Sequence, residues 1–165
     1  MKNRWIALYV ENEVGVLAKV SGLFSGKSYN LQSLTVGTTE HEDVSRMTIS
    51  GQADDVTFEQ IKKQLNSMVE VIKVMDLTDV PIHSKEILYA KIHGIDAAGK
   101  EEAFRIAQVF KIRVIDIGED SVLLESALTE RRNNELIALL KKTYRHIEVV
   151  RGGAVAIESI STSCR

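Results

Sequence analysis

The chain has 165 residues, 21 basic and 23 acidic, with a net charge of −2 and a pI near 6.1. That balance argues against a bulk electrostatic grip on nucleic acid, which needs clustered basic charge. No apolar run approaches the roughly 18 residues of a membrane span, and the run from Trp5 to Val10 is shorter than the about 7–15 residues of a signal-peptide core. The expectation is a cytoplasmic chain with no membrane contact. The single Cys164 cannot form an internal disulfide, which fits a reducing compartment.

Trp5 to Val10 reads as a strand with Ile6, Leu8 and Val10 on one face. A polar turn, Glu11-Asn12-Glu13, follows. Gly15 then opens a helix from Val16 to Lys27, in which Leu17, Val20 and Phe24 recur at helical spacing and Gly26 marks the end. Tyr29 to Thr39 is extended, with Leu34 and Val36 on the face shared by Asn30 and Gln32. The charged turn Glu40-His41-Glu42-Asp43 leads into a return strand, Val44 to Gly51, where Ser45, Met47 and Ile49 alternate with Arg46, Thr48 and Ser50. Thr57-Phe58-Glu59-Gln60 matches a capping box. Phe58, Ile61, Leu65 and Met68 then form one apolar stripe, and Val69 to Leu77 is a fourth, β-branched strand.

This β-α-β-β-α-β order over 77 residues is the ferredoxin-like pattern, an antiparallel sheet with both helices on one face. The stretch Thr78 to Lys85, with the only proline, has no clear period and reads as a linker. The order then repeats. Ile87 to His93 is a strand, and Ala97 to Phe110 is a helix facing inward through Ala103, Ile106, Ala107 and Phe110. Ile112 to Ile117 and Ser121 to Leu128 form a hairpin. Thr129 caps a helix whose core is Leu136, Ile137, Leu139 and Leu140. Tyr144 to Val150 closes the unit, Ala154 to Ile157 adds an edge strand, and Glu158 to Arg165 is a polar tail that frays. The fold class is α+β with two βαββαβ units: residues 1–78, a linker at 79–85, and residues 86–165.

The stretch from Leu8 to Phe24 carries the first unit's chemistry. A strand turning into a helix leaves unpaired N–H groups at the positive end of the helix dipole, a site suited to a carboxylate. Gly15 has no Cβ, so a ligand can approach the backbone there. Gly15, Val16 and Leu17 offer amide donors, and the Asn12 oxygen is a candidate acceptor for an ammonium. Asn12 also fits an ordinary turn, and Asn30 an ordinary strand start. His41, His83, His93 and His146 are spread along the chain with no zinc-like spacing, and Cys164 has no base fixed near it. Arg46 either covers apolar surface with its stem or touches a partner protein.

Three stretches together resemble the ACT-domain family: Asn12-Glu13-Val14-Gly15-Val16-Leu17, Gly22-Leu23-Phe24-Ser25, and Tyr29-Asn30-Leu31-Gln32-Ser33-Leu34-Thr35-Val36-Gly37. More narrowly, the sequence is similar to the regulatory small subunits of acetolactate synthase. Val44-Ser45-Arg46-Met47-Thr48-Ile49 and Lys85-Glu86-Ile87-Leu88-Tyr89-Ala90-Lys91-Ile92 extend the likeness. The family often carries a hydroxyl residue between Arg and Gly near its C-terminus, where this chain has Arg151-Gly152-Gly153.

The resemblance implies a non-catalytic subunit that activates a separate catalytic subunit. That partner would hold thiamine diphosphate, Mg and FAD, and this chain no cofactor of its own. It implies ACT domains paired as a homodimer and an effector that is valine or another branched-chain amino acid. The effector-binding residues would be Asn12, Val14, Gly15, Val16, Leu17, Asn30, Leu31 and Leu34, with Leu31 and Leu34 walling its side chain and Asn30 beside the turn. It also implies feedback inhibition in branched-chain amino acid biosynthesis. A free-standing ACT-type amino-acid sensor acting on another enzyme is the alternative. An RNA-recognition module shares the element order, but its stacking aromatics are missing from Val44 to Gly51. A small enzyme on this fold would need a base, nucleophile or metal cluster that the sequence does not supply.

Overall fold

The computed structural model describes residues 1–25 and 29–162. The end of the first helix at Gly26 and Lys27, and Cys164 in the tail, lie outside them. The chain forms two compact units. Residues Met1–His83 and those from Ala154 on make the first, and Ser84–Gly153 the second.

In the first unit, β1 (Lys2–Glu11), α1 (Val16–Ser25), β2 (Asn30–Thr38), β3 (Val44–Ala53), α2 (Asp55–Asn66) and β4 (Val71–Asp76) follow in the expected order. The sheet runs β2-β3-β1-β4. β1 pairs antiparallel with β3, from Lys2 opposite Ala53 to Glu11 opposite Val44, and antiparallel with β4 on its other side. Strand period two sends Ile6, Leu8, Val10, Met47 and Ile49 to one face. There they meet Val16, Val20 and Phe24 of α1 and Phe58, Ile61 and Leu65 of α2. Each such buried side chain contributes roughly 1.5–3 kcal/mol relative to exposure.

Two local expectations differ. Asp54, not Thr57, caps α2, accepting from the Thr57 amide at 2.8 Å and the Thr57 hydroxyl at 2.8 Å. An Asp three residues upstream of Thr57 outcompetes the hydroxyl because its charge suits the helix dipole. In β2 the register shifts between Leu31 and Ser33. Asn30 therefore lies opposite Gln52, while Leu34 and Val36 lie opposite the core residues Ile49 and Met47. Directly opposed residues share a face, so the bulge turns Asn30 away from the face of Leu34 and Val36.

The second unit holds β5 (Ile82–His93), α3 (Ala97–Phe110), β6 (Arg113–Ile117), β7 (Ser121–Leu128), α4 (Glu130–Thr143) and the start of β8 (Ile147–Glu158), in sheet order β6-β7-β5-β8. Leu88, Ala90, Ile92, Val122 and Leu124 pack on α3 and α4. Thr129 caps α4, as its position predicts, accepting from the Arg132 amide at 3.3 Å. Leu139 is exposed, on the flank of the stripe formed by the fully buried Leu136 and Leu140. Tyr144 ends α4 rather than opening a strand, and its hydroxyl donates to the Gly99 carbonyl at 3.0 Å. β5 begins at Ile82, inside the stretch read as a linker, because alternation there runs through polar residues.

Ala154 to Ile157, read as an added edge strand, is the end of the continuous β8, and Ser159, read as part of a fraying tail, holds a backbone bond. From Ala154 the strand belongs to the first unit. The Ala154 amide donates to Ser33 Oγ at 2.8 Å, and the Thr35 hydroxyl donates to the Ala154 carbonyl at 3.0 Å. Ala156 packs with Ala7 and Leu77, and the Ser159 amide reaches the Pro81 carbonyl at 2.9 Å. The segment covers part of the sheet face that the helices leave open.

Candidate functional site

Two backbone bonds anchor the turn after β1. The Glu11 amide donates to the Glu70 carbonyl at 2.9 Å and the Asn12 amide to the Asp43 carbonyl at 2.8 Å. Gly15 sits at φ +89°, where a side chain is disfavoured, and a Cβ there meets nothing within 4 Å. Lys19 closes the first helical turn onto the Gly15 carbonyl at 3.0 Å, and the Val16 amide leans on Glu13 at 3.4 Å. Among the described residues the amides of Leu17 and Ala18 find no protein acceptor, and no side chain caps α1. Val14 is fully exposed and Leu17 half-exposed beside them. An open helix start of this kind holds an anion through backbone donors and dipole together.

Asn12 does two things at once. Its Nδ2 donates to the Glu42 carbonyl at 2.9 Å, and its Oδ1 accepts from the Ser45 hydroxyl at 3.0 Å. A carboxamide oxygen has a second lone pair, so one acceptor position remains. Ser45 and Glu42 are the residues that sequence reasoning passed over. The usable signal was parity: Ser45 shares the helix-facing side of β3 with Met47 and Ile49. Lys19 pairs with Glu70, which raises the lysine above its ordinary value and lowers the glutamate below its own, in both cases chiefly through their shared hydrogen bond. That pair closes the flank of the turn.

Asn30 is not beside this turn in one copy of the chain. β2 and β1 are each antiparallel to β3, so they run parallel to each other. Asn30 lies opposite Gln52, which lies opposite Asn3, whereas the turn leaves β1 at Glu11. Eight residues of strand separate the two levels, about 26 Å. Leu31, opposite Gly51, is at Asn30's end, and Leu34 lies between, partly buried against the core. A single copy thus gathers Asn12, Val14, Gly15, Val16 and Leu17 and holds Asn30 and Leu31 apart from them.

Arg46 projects from the opposite face of β3. It donates to the Ala156 carbonyl at 2.6 Å and to the Thr48 hydroxyl at 3.3 Å, and lies over the Tyr9 ring at 5.8 Å. His93 and His146 stack at 5.5 Å, both exposed. Among the described residues no three of His, Cys, Asp and Glu are placed to hold a metal ion, and no helix is long and apolar enough to cross a membrane.

Residues 6–73 match the family model of the AHAS small subunit-like ACT domain, and residues 85–160 match that of the small subunit of acetolactate synthase. The chain is 38% identical to an acetolactate synthase small subunit of Aquifex aeolicus, over 92% of this chain and 79% of that one. It is 39% identical to a probable acetolactate synthase small subunit of Archaeoglobus fulgidus, over 92% and 94%. Among solved structures, the acetolactate synthase small subunit of Thermotoga maritima aligns with a TM-score of 0.86 at 30% identity, covering 96% of this chain and 98% of that one.

Proposed function

Because the chain belongs to the family of acetolactate synthase small subunits, we propose that its first unit binds valine, or another branched-chain amino acid, where two copies of the ACT domain meet. The chain is a non-catalytic regulatory subunit, and the active site lies on a separate chain. Thiamine diphosphate, Mg and FAD belong to that catalytic chain. The effector's carboxylate sits on the open start of α1, and its ammonium takes the free lone pair of Asn12.

The observation that carries this reading is the turn at Gly15, where a Cβ would meet nothing within 4 Å and the amides of Leu17 and Ala18 have no protein acceptor among the described residues. The distance to Asn30 supports a site completed by a second copy. β2 is an edge strand, and edges are usually covered. A two-fold copy pairing antiparallel along β2 brings its Asn30 and Leu31 to this chain's Thr38 end, next to Asn12 and Gly15. One asparagine would then come from each copy, the partner's from the sheet face opposite Ser45. A ligand at such a junction couples binding to pairing, and coupling of about 1–3 kcal/mol changes an affinity roughly 5- to 150-fold.

The test is reconstitution. Added to the catalytic subunit, the chain is expected to raise acetolactate formation and to make it sensitive to valine. Activity that stays at the level of the catalytic subunit alone, with or without valine, defeats the proposal.

A further inference from the structure

The first unit has a second concave site, on the face of its sheet that the helices do not cover. A cleft of about 360 Å³ lies between the end of β2 and the last residues of β8, with Tyr9, Thr35, Arg46 and Thr48 on the sheet side and Val155 and Ile157 opposite. Strand alternation separates it from the Gly15 turn. Ser45 points to the helix side and bonds Asn12, whereas Arg46, next in sequence, points into the cleft.

Arg46 has no direct ion pair among the described residues. Among the described residues Arg4 and Arg151 reach Asp55 and Glu86, but no carboxylate comes within ion-pair distance of Arg46. Its guanidinium has five N–H donors. The Ala156 carbonyl takes one at 2.6 Å, the Thr48 hydroxyl takes another at 3.3 Å, and the enclosed Nε has no acceptor. A partly desolvated cation with spare donors and no carboxylate in contact attracts an anion, and a carboxylate matches its planar fork.

The surroundings narrow the class. Val155, Ile157 and the Tyr9 ring offer an apolar wall, and the hydroxyls of Thr35 and Thr48 offer neutral hydrogen bonds. Glu40 also lines the cleft. Its negative charge penalises a dianion such as phosphate and tolerates an ammonium. The volume is at the small end of ligand sites. We propose that this cleft binds a small monocarboxylate with a short apolar body, its acid group on Arg46. A free carboxylic acid and an α-amino acid share that chemistry.

The test is a heteronuclear NMR titration of the full chain with isovalerate, valine and inorganic phosphate. Isovalerate is expected to shift the amides of Gly37, Arg46, Val155 and Ile157 at millimolar concentration. Arg46→Gln is expected to weaken it by at least about tenfold, the loss of one charge-assisted hydrogen bond. Ile157→Trp, at an exposed position, fills the cleft without touching Arg46 and is expected to abolish the shifts. Asn12→Ala leaves them in place, which separates this site from the effector turn. Shifts at the cleft with valine identify the amino acid as a source, and shifts with isovalerate alone identify the free acid. No shift at the cleft at about 20 mM, an equal response to phosphate, or unchanged binding in Ile157→Trp overturns the proposal.

Discussion

Ser45 donates its hydroxyl to Asn12 Oδ1 at 3.0 Å, across the end of the β1–β3 ladder. With Asn12 Nδ2 on the Glu42 carbonyl at 2.9 Å, the bond ties the turn after β1 to the β2–β3 hairpin. Removing the serine hydroxyl should cost about 1 kcal/mol, because it leaves the carboxamide able to turn. Urea unfolding of Ser45→Ala reads that loss. Calorimetry with valine should show a several-fold weaker affinity in Ser45→Ala and a larger loss in Asn12→Ala. An Asn12→Ala variant that binds valine like wild type would place the ammonium elsewhere.

Gly15 and Gly51 should answer substitution differently. At Gly15 the obstacle to Ala is the backbone, since φ is +89° while space is open. The expected cost is about 1 kcal/mol, with loss of valine binding. At Gly51 a Cβ would come within 2.4 Å of the Tyr29 ring and 2.6 Å of the Asn30 carbonyl. That clash should cost about 2–3 kcal/mol and push Asn30 out of register. Gly51→Ala is therefore expected to lower both stability and valine affinity, although the residue lies at the far end of the sheet from the turn. Thermal unfolding and calorimetry on the two variants test the contrast.

The element order was legible because apolar residues keep period two in β1 and β3 and helical spacing in α2, α3 and α4. The Gly15 turn was legible because a glycine between a strand and a helix has few other uses. Other features were not, and three of them show why. The bulge at Gln32 leaves no apolar signature, so alternation alone puts Asn30 on the face of Leu34. Asp54 and Thr57 are both good caps, and charge decided between them. The contacts of Ala154 with Ser33 and Thr35 span 121 and 119 residues, a separation that no local pattern reports.

A site shared by two copies makes a prediction about mixtures. Homodimers of Asn12→Ala and of Asn30→Ala should each lack both intact sites. In a heterodimer of the two, one site draws its Asn12 and its Asn30 from the unmutated positions, and the other has neither. Unfolding and refolding the two variants together should restore valine binding to about a quarter of the wild-type sites at random pairing. Calorimetric stoichiometry measures this. No recovery on mixing would mean that both asparagines act within one copy, and an Asn30→Ala homodimer that binds valine like wild type would mean that Asn30 has no part in binding.

Glu86 and Arg151 should make the second unit acid-sensitive. Glu86 is buried, and it accepts from Arg151 Nε and Nη2 at 2.8 Å each and from Asn133 Nδ2 at 3.0 Å. Burial pushes its carboxyl up, but the hydrogen bonds from Arg151 and Asn133 outweigh that and leave it below its ordinary value of 4.5. A carboxyl lowered in the folded state binds fewer protons there than in the unfolded chain. Its contribution is thus complete above the ordinary carboxylate range and is lost as pH falls through the folded value. Stability should accordingly be flat near neutral pH and decline below about pH 4.5. Glu86→Gln removes the ion pair and leaves the guanidinium of Arg151 with a neutral partner. It should cost about 3 kcal/mol at pH 7 and flatten the acid limb. Urea unfolding from pH 7 down to pH 3 measures both effects. An acid limb equally steep in Glu86→Gln would assign the sensitivity to other carboxylates.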